Sequence, residues 1–149
     1  NHDYWWATKS KIDNYLKENS FDTISVLFNN SYTADNFTVC GTRGWFLESE
    51  TDNDVKVLNR EVGRLRASLE DGLKKGGEPV VFLHYPPVYG SQECSEIIDV
   101  LLEYNIKKCY YGHIHGANNI KNAIEGIYKG IDFTLVSCDK LGFMPLLVR

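Results

Sequence analysis

The longest regular pattern of apolar positions predicts a helix over residues 54–75. Apolar side chains recur there at spacings of three and four residues, which places them along one face of an α-helix. They are Leu58, Val62, Leu65, Leu69 and Leu73. Gly76 and Gly77 follow directly, and glycine is typical of a helix end because it adopts the left-handed conformation without strain.

The same kind of pattern predicts two shorter helices. One covers residues 8–17, with the Thr8 side chain as its N-cap, and the other covers residues 95–105. The side chains expected on the apolar face of the first are Ile12, Tyr15 and Leu16. Those expected to point inward from the second are Ile97, Ile98, Leu101 and Leu102.

Runs of β-branched and apolar residues predict three strands between the first helix and the long one. Residues 23–28, TISVLF, have the composition of a strand. Residues 31–33 and 37–42 are expected to form two further strands. A short turn at Ala34, Asp35 and Asn36 would join those two as a β-hairpin.

The remaining apolar runs predict a parallel unit followed by an antiparallel tail. Residues 79–83, PVVFL, are typical of a strand buried on both faces, and residues 106–111 form the next strand after a helix. Strand, helix and strand in that order favour a right-handed crossover with parallel strands. Three short strands at 125–128, 131–137 and 144–148 are expected to form an antiparallel meander. The expected fold class is α/β, with mixed sheets packed between helices.

Length and charge limit the kind of protein this is. The chain has 149 residues, which suits a single domain over residues 1–149, and its net charge is −4. That charge gives no electrostatic argument for a nucleic-acid or acidic-membrane partner. No apolar run approaches the roughly 20 residues that span a bilayer, and the polar start is unlike a signal peptide. We therefore expect no membrane contact.

The four cysteines indicate a reducing compartment. Cys40, Cys94, Cys109 and Cys138 are far apart in the sequence and form no C-x-x-C pair. They are expected to be reduced and to behave as small apolar residues, since cysteine metal sites usually need closer spacing. Reduced cysteines favour a cytoplasmic location.

All four histidines lie in short motifs that suit metal binding. His2 lies in the opening Asn1-His2-Asp3, His84 follows a predicted strand, and His113 and His115 lie in Gly112-His113-Ile114-His115-Gly116. His84 and His113 each come at the carboxyl end of a strand, which is where ligands bind in open α/β sheets. Because neighbouring strands are about 4.8 Å apart, the two imidazoles can reach one ion. The alternatives are incidental histidines in a solvated loop and, for His84, a hydrogen-bonded core histidine.

Taken together, these blocks resemble part of the calcineurin-like metallophosphoesterase signature. That signature runs D-x-H, G-D-x-x-D, G-N-H-D/E, a lone H and G-H-x-H, and the last three blocks match this chain in order and spacing. The tracts NHDYWW, CGTRGW, LHYPP and GHIHG further resemble a subgroup of small bacterial predicted phosphoesterases. The resemblance implies a four-layer α/β/β/α sandwich with mixed sheets, whose N-terminal strands are missing from this chain.

The resemblance also implies a role for each matching residue. Asn1, His84 and His113 would bind the second of two divalent metal ions, and His115 would bind the first. His2 would bind no metal and would instead protonate the leaving oxygen. The ions would be manganese, iron or zinc, which nitrogen and oxygen ligands together suit. A metal-bound hydroxide would be the nucleophile that hydrolyses the phosphoester.

The chain departs from the family in lacking the D-x-H and G-D-x-x-D blocks. In the family those blocks supply three ligands of the first metal. This chain is therefore expected to be the C-terminal part of a metallophosphoesterase domain, whose partner is the missing N-terminal segment of the same domain. On its own it is expected to be an incomplete enzyme.

The sequence says less about the substrate, which is expected to be a small phosphoester or a nucleotide. Tyr4 and Trp5 follow His2 and would stack on an aromatic group, although anchoring a helix in the core is an alternative at least as strong. Arg43 ends a predicted strand and would bind a substrate phosphate, with a surface salt bridge as the alternative. The other function considered is a non-catalytic metal-binding or protein-interaction scaffold that keeps the fold. A structural zinc protein ranks lower, because it would be expected to have paired cysteines.

Overall fold

The computed structural model describes residues 8–45 and 52–148, and these fold into helices packed on a mixed sheet. The helices are α1 (Lys9–Glu18), α2 (Asp52–Lys75), α3 (Ser95–Glu103) and α4 (Ala117–Ile120). The strands are β1 (Tyr32–Ala34), β2 (Phe37–Thr42), β3 (Glu78–Leu83), β4 (Val88–Tyr89), β5 (Gln92–Glu93), β6 (Lys108–Tyr111), β7 (Gly126–Tyr128) and β8 (Ile131–Leu135). The expected α/β class is confirmed.

Four parallel strands form the centre of the sheet. Within the described residues the sheet has six strands in the order β1-β2-β3-β6-β8-β7, and β2, β3, β6 and β8 run parallel. The outer strands β1 and β7 pair antiparallel with their neighbours, while β4 and β5 form a separate small hairpin. The parallel strands end level, because Thr42, Leu83, Tyr111 and Leu135 are register partners from strand to strand. The residues that follow these four strands therefore share one edge of the sheet.

The long helix α2 confirms the expected helix and covers the sheet beside β2. Leu58, Leu65 and Leu69 are buried on it as expected, but Leu73 is 61% exposed. Each step of four residues rotates about 40° around a helix of 3.6 residues per turn, so the series has left the buried face by Leu73. Gly72 takes the place on that face, where it lies against Cys40 of β2.

The two shorter helices are confirmed, with corrections to their buried faces. Thr8 caps α1 by accepting a hydrogen bond from the backbone N–H of Lys11, yet no α1 side chain is fully buried. In α3 the outward position of Leu102, 43% exposed, contradicts the expected inward one. Val100 is buried in its place, because consecutive residues are separated by about 100° around the helix axis.

The expected hairpin is also confirmed, one residue later than expected on its first strand. β1 and β2 pair antiparallel, with Ala34 opposite Phe37. Asp35 has a φ of +52°, the left-handed conformation that a two-residue hairpin loop requires. The centre of the chain is likewise as expected, since β3, α3 and β6 form a crossover with parallel strands.

Two predicted strands are wrong. Residues 23–28 and 144–148 are both described, and neither segment forms a strand. A segment rich in strand-favouring residues forms a strand only where a neighbouring strand completes its backbone hydrogen bonds. Ile24 is 53% exposed, and Phe28 N–H instead donates 2.5 Å to the Asn30 side chain, a local bond that competes with pairing.

The tail is therefore not the expected meander. β7 and β8 do form an antiparallel hairpin, but β8 then pairs parallel with β6 and extends the central sheet. This parallel pairing sends the residues after β8 to the same edge as His84 and His113. No helix in the described ranges, 8–45 and 52–148, is long and apolar enough to cross a membrane.

Candidate functional site

The level ends of the parallel strands bring several of the predicted site residues together. Arg43, His84 and Gly112 are the first residues after β2, β3 and β6. The backbone N–H of His84 donates 3.0 Å to the Arg43 carbonyl, and that of Gly112 donates 3.2 Å to the His84 carbonyl. Backbone hydrogen bonds thus continue past the strand ends and fix where the side chains begin.

His84 and His113 form a close pair of half-buried imidazoles. Nε2 of His84 lies 3.2 Å from Nδ1 of His113. Two nitrogens that bind one zinc-sized ion at about 2.0–2.1 Å lie roughly 2.9–3.4 Å apart for bond angles of roughly 90–110°. The separation therefore fits two ligands of one cation. It also allows a hydrogen bond between the two neutral rings.

The electrostatics of His84 favour a neutral imidazole. Burial lowers the pKa of His84 to about 4, and the nearby His113 and Arg43 shift the pKa in the same direction. The ring is therefore uncharged at neutral pH and keeps a lone pair, which is the form that binds metals. This pKa holds for the chain without an ion.

Tyr85 holds both imidazoles of the pair. Its ring centroid lies 4.8 Å from that of His84, edge on, and 4.4 Å from that of His113. Trp45 packs edge-on against Tyr85, with the two ring centroids 6.4 Å apart. In the sequence, Tyr85 stands between His84 and two prolines, and no role at the site was predicted for it. Its position next to His84 in the chain was the one signal of a role here.

His113 has an unusual backbone conformation. Its φ is +69°, which is uncommon for a residue other than glycine and recurs at functional sites. The chain therefore bends at His113 instead of continuing the extended conformation of β6. His115 lies beyond this bend and is exposed.

His115 contacts a carboxylate that the sequence analysis missed. Its Nδ1 lies 2.9 Å from Oδ1 of Asp139, and the Gly116 N–H donates 2.7 Å to the other oxygen of that carboxylate. The Gly116 N–H, and then the His115 ring, lower the pKa of Asp139 to about 2. Asp139 is therefore ionised across the physiological pH range.

Cys138 is the second missed residue at this edge. Ligand atoms of His115, Cys138 and Asp139 all lie within 4.8 Å of one another. All four cysteines fall in the described residues and are free thiols, and Cys138 is exposed whereas Cys40, Cys94 and Cys109 are buried. The signal for Cys138 and Asp139 was the end of a predicted strand, the same signal that identified His84. Because an antiparallel meander was predicted for the tail, this strand end was not assigned to the same edge as His84.

Arg43 lies at the expected edge but contacts a carboxylate of its own chain. Its guanidinium is 3.5 Å from Glu61 and lies over the Trp45 ring at 5.1 Å. Glu61 is fully buried and also binds Thr42 at 2.7 Å and Arg64 at 2.6 Å. The salt bridge considered as the alternative is thus present, to a buried partner. The Arg43 side chain remains 45% exposed.

The other predicted site residues fall outside the described ranges. Asn1, His2, Tyr4 and Trp5 precede residue 8, where the structure begins to describe the chain. Their predicted roles stay predictions. Comparison with protein-family models, with curated proteins and with solved structures found no match to this chain.

Proposed function

We propose that this protein is a metal-dependent phosphoester hydrolase whose site lies at the carboxyl edge of β2, β3, β6 and β8. The observation that carries the proposal is the His84–His113 pair, whose nitrogens lie 3.2 Å apart. Such a pair at neighbouring strand ends suits a cation, and the family that the motifs resemble hydrolyses phosphoesters. The proposal includes the four-layer sandwich and a second half of the site encoded upstream of Asn1.

The chain's own residues would have separate tasks. His84 and His113, with Asn1, would hold one divalent ion, and His115 would hold a second. The ions, manganese, iron or zinc, would polarise the phosphoryl group and lower the pKa of a bound water toward about 7.

His115 is already oriented for this task. Its Nδ1 lies 2.9 Å from the Asp139 carboxylate, which fixes the direction of the imidazole ring. The contact supports the role that the motif resemblance implies.

Four residues would act on the substrate itself, a proton donor, a cation and two aromatic side chains. His2 would donate a proton to the leaving oxygen. Arg43, half exposed beside the pair, would attract the phosphate while Glu61 and Trp45 restrain its guanidinium. Tyr4 and Trp5 would stack on the aromatic part of a nucleotide or other phosphoester.

The four free thiols suit the proposed cytoplasmic location.

Hydrolysis of p-nitrophenyl phosphate and bis-p-nitrophenyl phosphate tests the proposal. The protein should be expressed with the residues that its gene encodes upstream of Asn1, and assayed with manganese, iron and zinc. We expect metal-dependent turnover that His84→Ala abolishes. Phe82→Leu is the matched control, because Phe82 lies two residues earlier in β3 and stacks on Tyr110 rather than on the histidines. Equal activity of wild type and His84→Ala, or no turnover with any ion, would contradict the proposal.

A further inference from the structure

We propose that His115, Cys138 and Asp139 together form a metal site with nitrogen, sulfur and oxygen ligands, and that this site prefers zinc. No such role was predicted for Cys138 or Asp139 from the sequence. In assigning the ion to the same edge as the His84–His113 pair, the inference rests on the proposed function. The binding of the ion by these three side chains is independent of the proposed function.

The geometry of the three side chains is close to that of a bound ion. His115 Nδ1 and Asp139 Oδ1 are 2.9 Å apart, which fits two ligands on one ion. All three ligand atoms lie within 4.8 Å of one another, whereas sulfur and oxygen on a tetrahedral zinc lie about 3.5 Å apart. Because Cys138 is exposed, core packing does not hold its thiol at one distance from the other two ligand atoms.

The backbone around these residues is fixed by hydrogen bonds on both sides. Val136 N–H donates 2.8 Å to Tyr111 O, which continues the pairing of β8 with β6 up to the site. Phe143 N–H donates 2.8 Å to Cys138 O and closes the turn that follows. On the other side, the Asn119 side chain donates 2.9 Å to the His115 carbonyl.

The Asp139 carboxylate is oriented in the same way. The Gly116 N–H binds its Oδ2 at 2.7 Å and leaves Oδ1 directed at His115. A hydrogen bond from outside the ligand set is the usual means of orienting a ligating carboxylate. The site thus has the supporting contacts of a metal centre as well as its ligand atoms.

The ligand types decide which ion is favoured. A thiolate and an imidazole suit zinc and select against magnesium and calcium, while manganese prefers oxygen ligands. Three protein ligands with a solvent-exposed fourth position are also the usual arrangement at zinc sites that bind a water or a substrate. We therefore infer zinc at this site even where manganese would serve the His84–His113 pair.

Cobalt(II) provides a direct test, because it substitutes for zinc and a cobalt–thiolate bond absorbs in the near ultraviolet. Metal-free protein would be titrated with cobalt(II), followed by zinc to displace it. We expect the thiolate-to-cobalt band in wild type and its complete loss in Cys138→Ser. We also expect zinc affinity by equilibrium dialysis to fall at least about 10–100-fold in that variant.

Two controls separate this site from the others. Cys94→Ala removes a buried thiol and should leave the band unchanged. His84→Ala should also leave it unchanged, although it abolishes the proposed hydrolysis. A band that persists in Cys138→Ser, or is absent from wild type, would overturn the inference while leaving phosphoester hydrolysis untouched. A band in a protein without hydrolytic activity would support the inference and contradict the proposed function.

Discussion

Two groups of side chains lie at the same edge of the sheet, and they differ in how they are held. His84 and His113 are half buried, lie within two residues of the ends of neighbouring parallel strands, and are packed by Tyr85. His115, Cys138 and Asp139 are largely exposed, and His115 is 56% exposed even though a carboxylate binds it. Burial keeps the His84 imidazole neutral, whereas hydrogen bonds orient the exposed group. The ends of the parallel strands thus place two groups of side chains with different surroundings at one edge of the sheet.

The difference has a consequence for robustness. The buried pair depends on the packing of the sheet and of the helix that covers it, so it should respond to changes in the core. The exposed group depends on a few local hydrogen bonds, so it should respond to single substitutions in its own loops. Variants of each kind distinguish the two.

The largest effect is expected from the buried carboxylate that connects the edge to α2. Glu61→Gln removes the charge that Arg64 and Arg43 bind at 2.6 and 3.5 Å. Loss of one partner of a buried ion pair costs about 3–5 kcal/mol, and we expect the lower end because both arginines are partly exposed. Chemical denaturation measures the free energy of unfolding. Glu70→Gln, on the exposed face of the same helix, is the control, and an equal effect of both variants would contradict this account.

The next effect concerns the buried pair itself. His113→Ala should lower metal-dependent phosphoester hydrolysis by more than about 100-fold, because loss of a ligand exceeds the about 10–100-fold loss typical of an outer partner. The free energy of unfolding should change much less than in Glu61→Gln. Steady-state rates at saturating manganese give the answer. Activity within tenfold of wild type would remove His113 from the site.

A smaller effect is expected in the exposed group. Asp139→Asn keeps an oxygen that can still bind the ion but lowers the charge of the side chain, so zinc affinity should fall less than on complete loss of a ligand, by about 10–100-fold. Affinity for an ion at the His84–His113 pair should stay the same. Equilibrium dialysis of Asp139→Asn measures its affinity for each ion. Asp99→Asn, on the exposed face of α3, is the control. Loss of both ions in Asp139→Asn would show that the two groups are not separate.

The smallest effect is expected at Asp71, an ionised carboxylate that supports the fold, unlike Asp139 at the site. Lys75 and Ser31 lower the pKa of Asp71 to about 2, against an ordinary value of 3.8. Because the folded-state pKa is depressed, the stabilisation is present above the ordinary pKa and is lost as the pH falls through about 2. We expect Asp71→Asn to reduce the fall in melting temperature between pH 5 and pH 2, as followed by circular dichroism at about six pH values. A wild-type slope in the variant would contradict the assignment.

Local patterns were enough to predict the elements that carry the buried pair. The helix over residues 54–75 and the βαβ unit around α3 follow from periodicity and buried runs, and these place His84 and His113. Cys138 and Asp139 were missed because their position depends on β8 pairing parallel with β6, a contact between distant residues. The strands predicted at residues 23–28 and 144–148 were wrong for the same reason, since a strand needs a partner strand that composition does not reveal. Leu73 and Leu102 failed because three-and-four spacings drift around a helix.

The central claim is that the edge carrying His84 and His113 is a metal-dependent hydrolytic site. Its most direct test is to strip the protein of metal, with the residues encoded upstream of Asn1 present, and to measure bis-p-nitrophenyl phosphate hydrolysis as manganese is added back. The account predicts no turnover in the stripped protein, recovery in wild type and in Phe82→Leu, and no recovery in His84→Ala. Recovery in His84→Ala to the wild-type rate would contradict it.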